Sequence, residues 1–535
     1  MTIMSDVIQK IRDQKGISEE KLFSLLYKEA TKNNKLMYMG LLLQRAAREF
    51  GNKIALIDQE SNRQRSITYS ELYARAVALS KKLIERGIKP KDRVPLFFEN
   101  SIEFYIGYFA IVQVGAVVAP LNTFLHDREL QHIMKDSQPT CMIVSDACAQ
   151  RLRELGLNDL PFITRADMDF DAPADMNVDD FKVIELDSDE MVALLYTSGT
   201  TGLPKGVMLS SKNIMTNVIQ GIARAGFGLH EDERIFGILP LFHSFAQFAC
   251  VWAPLFVGAT VIVVPKIDRR SILSGLAYRP TIFLGVPALY GLLCLMRSAQ
   301  LDSVRYFVSG GDALPDKIRA AFALIYRRKI CSGYGLTETS PLISVDFSGE
   351  LAPTSMVGPL VMGMEGVLKD EAGNEVLKGE IGELWVKGDN VMLGYYNAPE
   401  MTKQVLQNGW FCTGDLAYFD EKNNIVITGR LKDLIIHKGL NIYPQEIENV
   451  ILAHAAVIRA GVIGKRVGDE EVPVAYVQLR EEVPNIEKEL KELCKKNLAT
   501  YKIPRSFLCT TKELQTTATG KVNKKVLRKQ NNGLV

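Results

Sequence analysis

Between Tyr196 and Gly206 the chain reads YTSGTTGLPKG, directly behind the apolar run Met191 to Leu195. Hydroxyls at Thr197, Ser198, Thr200 and Thr201 alternate with Gly199, Gly202 and Gly206, and this mixture suits a polyphosphate. The glycines let backbone N–H groups turn toward an anion. Lys205 adds a mobile positive charge, and Pro204 stiffens the loop beside it. The spacing is not that of the usual P-loop, G-x-x-x-x-G-K followed by Ser or Thr, because counting from Gly199 the required second glycine falls on Pro204. A nucleotide would be held differently here, and the plain alternative is a flexible surface turn.

Further clusters supply what such a ligand needs. In GYGLTET, Gly333 and Gly335 open a turn, Thr337 offers a hydroxyl to a phosphate, and Glu338 offers a carboxylate to Mg²⁺, which keeps few protein ligands when phosphates supply the rest. In WFCTGDL, Asp415 follows Thr413 and Gly414; an ionised carboxylate matches the paired hydroxyls of a ribose, and an Asx-turn is the structural alternative. Arg430 in GRLKDLI is placed to reach the same ribose or phosphate, while Lys432 and Asp433 read as a solvated connector. TATGK puts Lys521 on an exposed loop near the C-terminus.

The elements that must position these residues alternate strand and helix. Leu41 to Phe50 reads as helix, Ile54 to Asp58 as strand, Tyr69 to Ile84 as a helix with Ser70 able to cap it, and Arg93 to Phe98 as a buried strand. Cys141 to Ser145, Val261 to Pro265, Thr281 to Val286 and Arg305 to Ser309 continue the alternation, which calls for parallel sheets covered by helices. Ligands then sit beyond the carboxyl ends of strands, where the Tyr196–Gly206 loop and Gly310, Gly311 and Asp312 fall. From Gly382 onward GELWVKG and NNIVITGR suggest shorter antiparallel strands. Beyond a boundary near Arg430, Pro444 to His454 (helix), Val474 to Leu479 (strand) and Ile486 to Leu498 (helix) form a small α+β unit.

A chain of 535 residues divides into one large and one small domain, or three. A net charge of +2 argues against a nucleic-acid binder, and the basic C-terminal residues Lys521, Lys524, Lys525, Arg528 and Lys529 read mostly as a solvated helix face. Eight scattered cysteines without a C-x-x-C pair fit a reducing cytoplasm. Residues Met1 to Tyr38 carry charges throughout, which leaves no apolar core for a signal peptide and suggests no role. The uncharged stretches Phe104 to Leu125 and Ile235 to Pro265 are interrupted by glycine and proline, and each reads as a buried helix followed by a buried strand instead of a membrane span.

Together YTSGTTGLPKG, GYGLTET, TGDL, GRLKDLI, GLNIYPQEIE and TATGK resemble, in order and spacing, the adenylate-forming superfamily of acyl- and aryl-CoA synthetases, luciferase and peptide-synthetase adenylation domains. PLFHSFA (Pro240 to Ala246) and GVPALYGLL (Gly285 to Leu293) are most similar to medium- and long-chain fatty-acyl-CoA synthetases. The resemblance implies an α/β large domain over residues 1–431, with helix-covered sheets and a distorted β subdomain, and a small mobile α+β domain over 432–535 hinged at Lys432. It implies ATP, Mg²⁺ and coenzyme A: a carboxylate attacks the α-phosphate to give acyl-AMP and pyrophosphate, and the CoA thiol then displaces AMP. Lys521 would bridge carboxylate and α-phosphate, with Glu338 and Thr197 at the metal. Asp415 and Arg430 would hold the ribose; Gly311, Asp312, Ala313 and Tyr334 would border the adenine. After rotation Lys438 and Gly439, heading GLNIYP, would face the acceptor, and His243 would lie at the mouth of the acyl pocket unless it is a satisfied core imidazole. Asp312 departs from the small residue common at its position, and Gln515 and Thr516 from the proline and basic residue that often precede TATGK.

Phe242, Phe245, Phe248, Trp252 and Phe256 are spaced to line one helical face of an acyl pocket, and ordinary core packing explains them as well. Three readings stand beside a fatty-acid CoA ligase. The first is an acyl carrier protein as acceptor, docking on Lys502, Lys521, Lys524 and Lys525. The second is a silent acyl-AMP or lipid binder, against which the retained Lys521, Glu338 and Asp415 speak. The third is a light-emitting oxidase, for which no residue speaks. Peripheral contact with the inner face of a membrane is a further expectation.

Overall fold

The computed structural model describes residues 17–32, 37–60, 63–157, 160–168, 178, 180–198, 203–226, 229–296, 299–347, 355–437, 440–467, 470–516 and 522–532. Three sheets build the large N-terminal part. The first has eight strands in the order Leu342–Val345, Cys331–Gly335, Tyr306–Ser309, Ile282–Gly285, Arg234–Gly237, Thr260–Val263, Ile54–Glu60, Arg63–Thr68. Its interior is parallel and both edge strands run antiparallel. The second has seven strands, Gly394–Tyr395, Pro204–Ser210, Met191–Ser198, Val117–Pro120, Arg93–Phe97, Met142–Val144 and Phe162–Ile163, parallel from Met191–Ser198 to Phe162–Ile163 and antiparallel at Pro204–Ser210 and Gly394–Tyr395. The third is antiparallel and carries Gly382–Gly388, Trp410–Phe419 and Ile425–Arg430.

Apolar helices pack between the two parallel sheets. Every residue of Ile102–Gln113 is buried, as an almost wholly apolar segment requires, and its one charged residue, Glu103, pairs with Arg65 and with Arg165, each at 2.8 Å. Its Tyr105 hydroxyl donates to the Cys250 carbonyl and its Tyr108 hydroxyl accepts from Trp252 Nε1 at 2.9 Å, tying it to the segment that continues the second uncharged stretch. Phe104 to Leu125 is thus helix then strand, as expected. Ile235 to Pro265 begins with a strand, Arg234–Gly237, before its helix and closing strand. None of the described helices is long and apolar enough to cross a membrane.

The helix Tyr69–Glu85 is capped by Thr68, not Ser70. Thr68 Oγ1 accepts from the Glu71 N–H and the Glu71 carboxylate returns a bond to the Thr68 N–H, a reciprocal pair that Ser70, followed three residues later by Tyr73, has no acid to make. The charged leader also holds an element: Glu19–Lys32 is a helix that buries Leu22, Leu26 and Ala30.

The C-terminal unit is a three-stranded sheet, Val457–Val467, Glu470–Leu479 and Ser506–Thr510, with helices Pro444–Leu452, Ile486–Asn497 and Lys524–Asn532 and a hairpin Ile435–His437/Leu440–Ile442. Asp433 is no solvated connector. It pairs with Arg528 at 2.7 Å and stands 4.0 Å from Lys524, which also meets Glu448 at 2.7 Å. Part of the basic C-terminal face is therefore turned inward, while Lys525 and Lys529 are exposed.

Candidate functional site

Strands Met191–Ser198 and Pro204–Ser210 form a hairpin that pairs Thr197 with Lys205 and Ser198 with Pro204. Gly199, Thr200, Thr201 and Gly202, between its legs, lie outside the described residues, as does the Ser198 side chain. The legs are braced from the helix Asp127–Ser137: the Tyr196 hydroxyl donates to Asp136 at 2.7 Å, and His132 Nε2 lies 3.0 Å from the Pro204 carbonyl. A Cβ at Gly206 would stand 2.8 Å from Leu194 Cδ1, so a side chain there would push the end of Leu194 aside.

Lys205 does not project into solvent. Its ammonium lies 3.1 Å from Glu338 Oε1 and 3.9 Å from the centre of the Tyr395 ring, and it donates to the Tyr395 hydroxyl. That hydroxyl donates in turn to Glu338 Oε1 at 2.8 Å. Burial, and then the Glu338 charge, push the Tyr395 phenol far above its ordinary range, so it stays a donor. Tyr395 was not legible as a site residue; it enters because the short strand Gly394–Tyr395 pairs with Val207 and Met208 beside Lys205.

The strand Cys331–Gly335 supplies the second cluster. The Tyr334 hydroxyl donates to Asp415 Oδ2 at 2.7 Å, and Arg430 Nε meets Asp415 Oδ1 at 3.0 Å, across strands that pair Asp415 with Arg430 directly. Asp415 is buried. Its carboxylate is spent on Tyr334 and Arg430, so the Asx-turn alternative falls; the Asp415 N–H goes to Thr413 Oγ1 at 3.1 Å. Burial and the adjacent carboxylate push the Tyr334 phenol well above its usual range, and Asp415 raises the Arg430 guanidinium.

Beyond the carboxyl ends of the parallel strands, Gly311 adopts φ +79°, a left-handed conformation that favours glycine, and the Asp312 carboxylate accepts from the Ala313 N–H at 2.9 Å. Thr337 Oγ1 sits 3.1 Å from Ser244 Oγ. Gly335 answers to packing: a Cβ would stand 1.8 Å from the Pro341 carbonyl oxygen, whereas Gly333 has ordinary clearance.

His243 Nδ1 accepts from the Phe245 N–H at 3.3 Å and caps the short helix Ser244–Ala246, so its ring has a structural use beside the site. The aromatic stripe does not line one face. A π-helix over Gln247–Trp252 shifts the register: Phe245 packs on Gly310 and Phe248 on Gly221, whereas Trp252 and Phe256 turn into the core. Lys502 and Lys524, offered as a docking surface for a carrier protein, pair instead with Glu446 and Glu448 at 2.7 Å. Lys438, Gly439 and Lys521 lie outside the described residues.

The short segment Tyr334 to Glu338 therefore joins all three sheets: it continues the first, meets Lys205 and Tyr395 of the second through Glu338, and meets Asp415 and Arg430 of the third through Tyr334. Glu338 uses only Oε1 among the described residues, and Thr197 Oγ1, opposite Lys205 in the hairpin, is buried without a partner among them. One carboxylate oxygen and one hydroxyl fit Mg²⁺, which takes its remaining ligands from phosphate and water.

The AMP-binding enzyme family matches residues 43–396 and the AMP-binding enzyme C-terminal domain matches 446–521. A long-chain-fatty-acid–CoA ligase of Bacillus subtilis (strain 168) is 31% identical over 523 residues, covering 90% of this chain and 92% of its own. A feruloyl-CoA synthase of Amycolatopsis sp is 34% identical over 475 residues, with 87% and 94% covered. Among solved structures, ATP-bound MatB from Rhodopseudomonas palustris superposes with a TM-score of 0.83 at 30% identity, over 92% of this chain and 98% of that one.

Proposed function

The chain belongs to the AMP-binding enzyme family, and from that premise we propose that it is an AMP-forming acid–CoA ligase whose acid is a medium- or long-chain fatty acid. The observation that carries the ligase reading is the junction at Tyr334 to Glu338, where a lysine–carboxylate pair and a carboxylate held by Tyr and Arg stand at one seam of three sheets.

The first step has to bring an anionic carboxylate to a polyanionic nucleotide, so its barrier is largely electrostatic. Lys205 takes phosphate charge, Asp415 with Tyr334 and Arg430 holds the ribose, and Thr197 with Glu338 holds Mg²⁺. Bound there, the metal supplies charge neutralisation at the phosphates. Lys521 is assigned the bridge between carboxylate and α-phosphate, and rotation about Lys432 the change to thioester formation, in which CoA displaces AMP. The fatty acyl preference rests on Phe245 and Phe248, half-buried beside Gly310 and Gly221, and on the likeness to a long-chain-fatty-acid ligase. A feruloyl-CoA synthase is similar to the same extent, so an aromatic acid is the rival.

The experiment is a pyrophosphate-release screen over straight-chain carboxylates of increasing length together with hydroxycinnamates, each with CoA and with carrier protein as acceptor. Fatty acids of medium or long chain should give the highest kcat/KM. Turnover with hydroxycinnamates alone rejects the acyl assignment, and no acid-dependent release at all rejects the ligase. Lys521→Ala should lower pyrophosphate release at least about a hundredfold, as removal of a transition-state charge does.

A further inference from the structure

Glu338 is offered to a metal and Lys205 to phosphate, yet the two are already paired with each other at 3.1 Å. A half-buried lysine and a carboxylate in direct contact hold each other, and a cation arriving with a nucleotide would have to break that pair. The Tyr395 side chain touches both partners. Tyr395 places its ring under the ammonium at 3.9 Å, accepts from the ammonium through its hydroxyl, and passes its own proton toward Glu338 Oε1 at 2.8 Å. All of these bonds fall on Oε1, and Oε2 has no partner among the described residues.

Tyr395 is itself fixed. It is buried, its N–H donates to Thr402 Oγ1 at 2.9 Å, and its strand pairs with Val207, two residues from Lys205. The edge strand is thus bound to the phosphate-facing hairpin, and two residues ahead of it the Met392 N–H donates to the Glu338 carbonyl at 2.9 Å.

We propose that Tyr395 is a positioning residue for nucleotide binding, holding Glu338 by one oxygen so that the other is kept for the metal when phosphate draws Lys205 away. This rests on the reading that Lys205 and Glu338 meet a metal-bound nucleotide. With the lysine gone, the hydroxyl bond from Tyr395 is what keeps the Glu338 carboxylate from rotating. A tyrosine that only filled the core would support the site equally whether or not metal were present.

The test is calorimetric titration of the full chain with the α,β-methylene analogue of ATP, which is not cleaved at the bond the reaction breaks, with and without Mg²⁺. The gain in affinity that Mg²⁺ gives the unmodified protein should shrink about tenfold or more in Tyr395→Phe, the worth of one hydrogen bond to a charged group. Affinity without Mg²⁺ should stay within about twofold, since the ring under Lys205 remains. An unchanged Mg²⁺ gain, or equal losses with and without the metal, overturns the proposal. If Tyr395→Phe does not fold, Thr402→Val, which removes the acceptor of the Tyr395 N–H, is read in the same way: a loss confined to the Mg²⁺ arm supports the proposal, and an equal loss or none overturns it. Absence of any analogue binding by the unmodified protein would instead reject the nucleotide reading itself.

Discussion

Asp415 is one carboxylate between two donors, Tyr334 at 2.7 Å and Arg430 at 3.0 Å, buried on the strand Trp410–Phe419. Charge-assisted bonds of this kind are worth about 1.5–3 kcal/mol each, so Asp415→Asn, which keeps the volume and removes the charge, should raise the KM for ATP by about tenfold or more. If the carboxylate meets the ribose hydroxyls, the same variant should also stop distinguishing ATP from 2′-deoxy-ATP. Pyrophosphate release measured against both nucleotides checks this, and a variant that still discriminates as the unmodified protein does would assign Asp415 to structure alone. The types of these residues were readable in sequence, because Asp after Thr-Gly and Arg before Leu-Lys are polar groups in otherwise strand-like runs. Their partnership with Tyr334 was not, since it brings together residues 81 positions apart from two different sheets. Tyr395 carried no signal at all: an aromatic residue in Gly-Tyr-Tyr-Asn looks like any strand residue until pairing with Val207 brings it to Lys205.

At the scale of elements, strands and helices of the parallel sheets followed from hydrophobic runs punctuated by glycine and proline. The misreadings were local, at the cap of Tyr69–Glu85 and in the aromatic stripe, where a π-helix replaced the assumed 3.6-residue period with a wider turn. The N-terminal leader was passed over for its charges, although Leu22, Leu26 and Ala30 recur at every fourth residue. That helix packs against Ser211–Ala225, with Glu19 3.1 Å from Arg224, Phe23 against Gly363, and the Tyr27 hydroxyl donating to Asp389. It thereby clamps the helix behind the phosphate-facing hairpin to the third sheet. Leu26 is fully buried, so Leu26→Ala should cost about 2–5 kcal/mol of unfolding free energy. Urea denaturation of the full chain measures it, and a loss under about 1 kcal/mol would mean that the helix is not part of the cooperative fold.

Across the whole molecule, the groups that burial perturbs most are phenols and thiols, and their shifts share one sign. Tyr38 is raised to about 12 from 10.0, and Tyr69, Tyr105, Tyr108, Tyr196, Tyr290, Tyr334 and Tyr395 are raised further, in each case first by burial. Cys148 and Cys494 rise to about 11, and Cys250, Cys331 and Cys412 to about 12, from 9.0. A raised pKa means that the folded chain holds the proton more tightly than the unfolded chain does. The corresponding stability is complete below the unfolded values and is lost as pH rises through them toward the folded ones, at about 1.4 kcal/mol per pH unit for each group. Lys53, Lys317 and Lys432 are lowered by burial and act in the opposite sense, but they are fewer. The urea midpoint should therefore hold level from about pH 7 to 8.5 and fall steeply from about pH 9 upward. Tyrosinate absorbance should appear together with unfolding instead of progressively in the folded state, because Tyr69, Tyr105, Tyr108, Tyr290 and Tyr395 are buried. A midpoint still level at about pH 10.5 would mean that the buried phenols and thiols ionise without opening the core, and that the core between the two parallel sheets admits water far more readily than its packing allows.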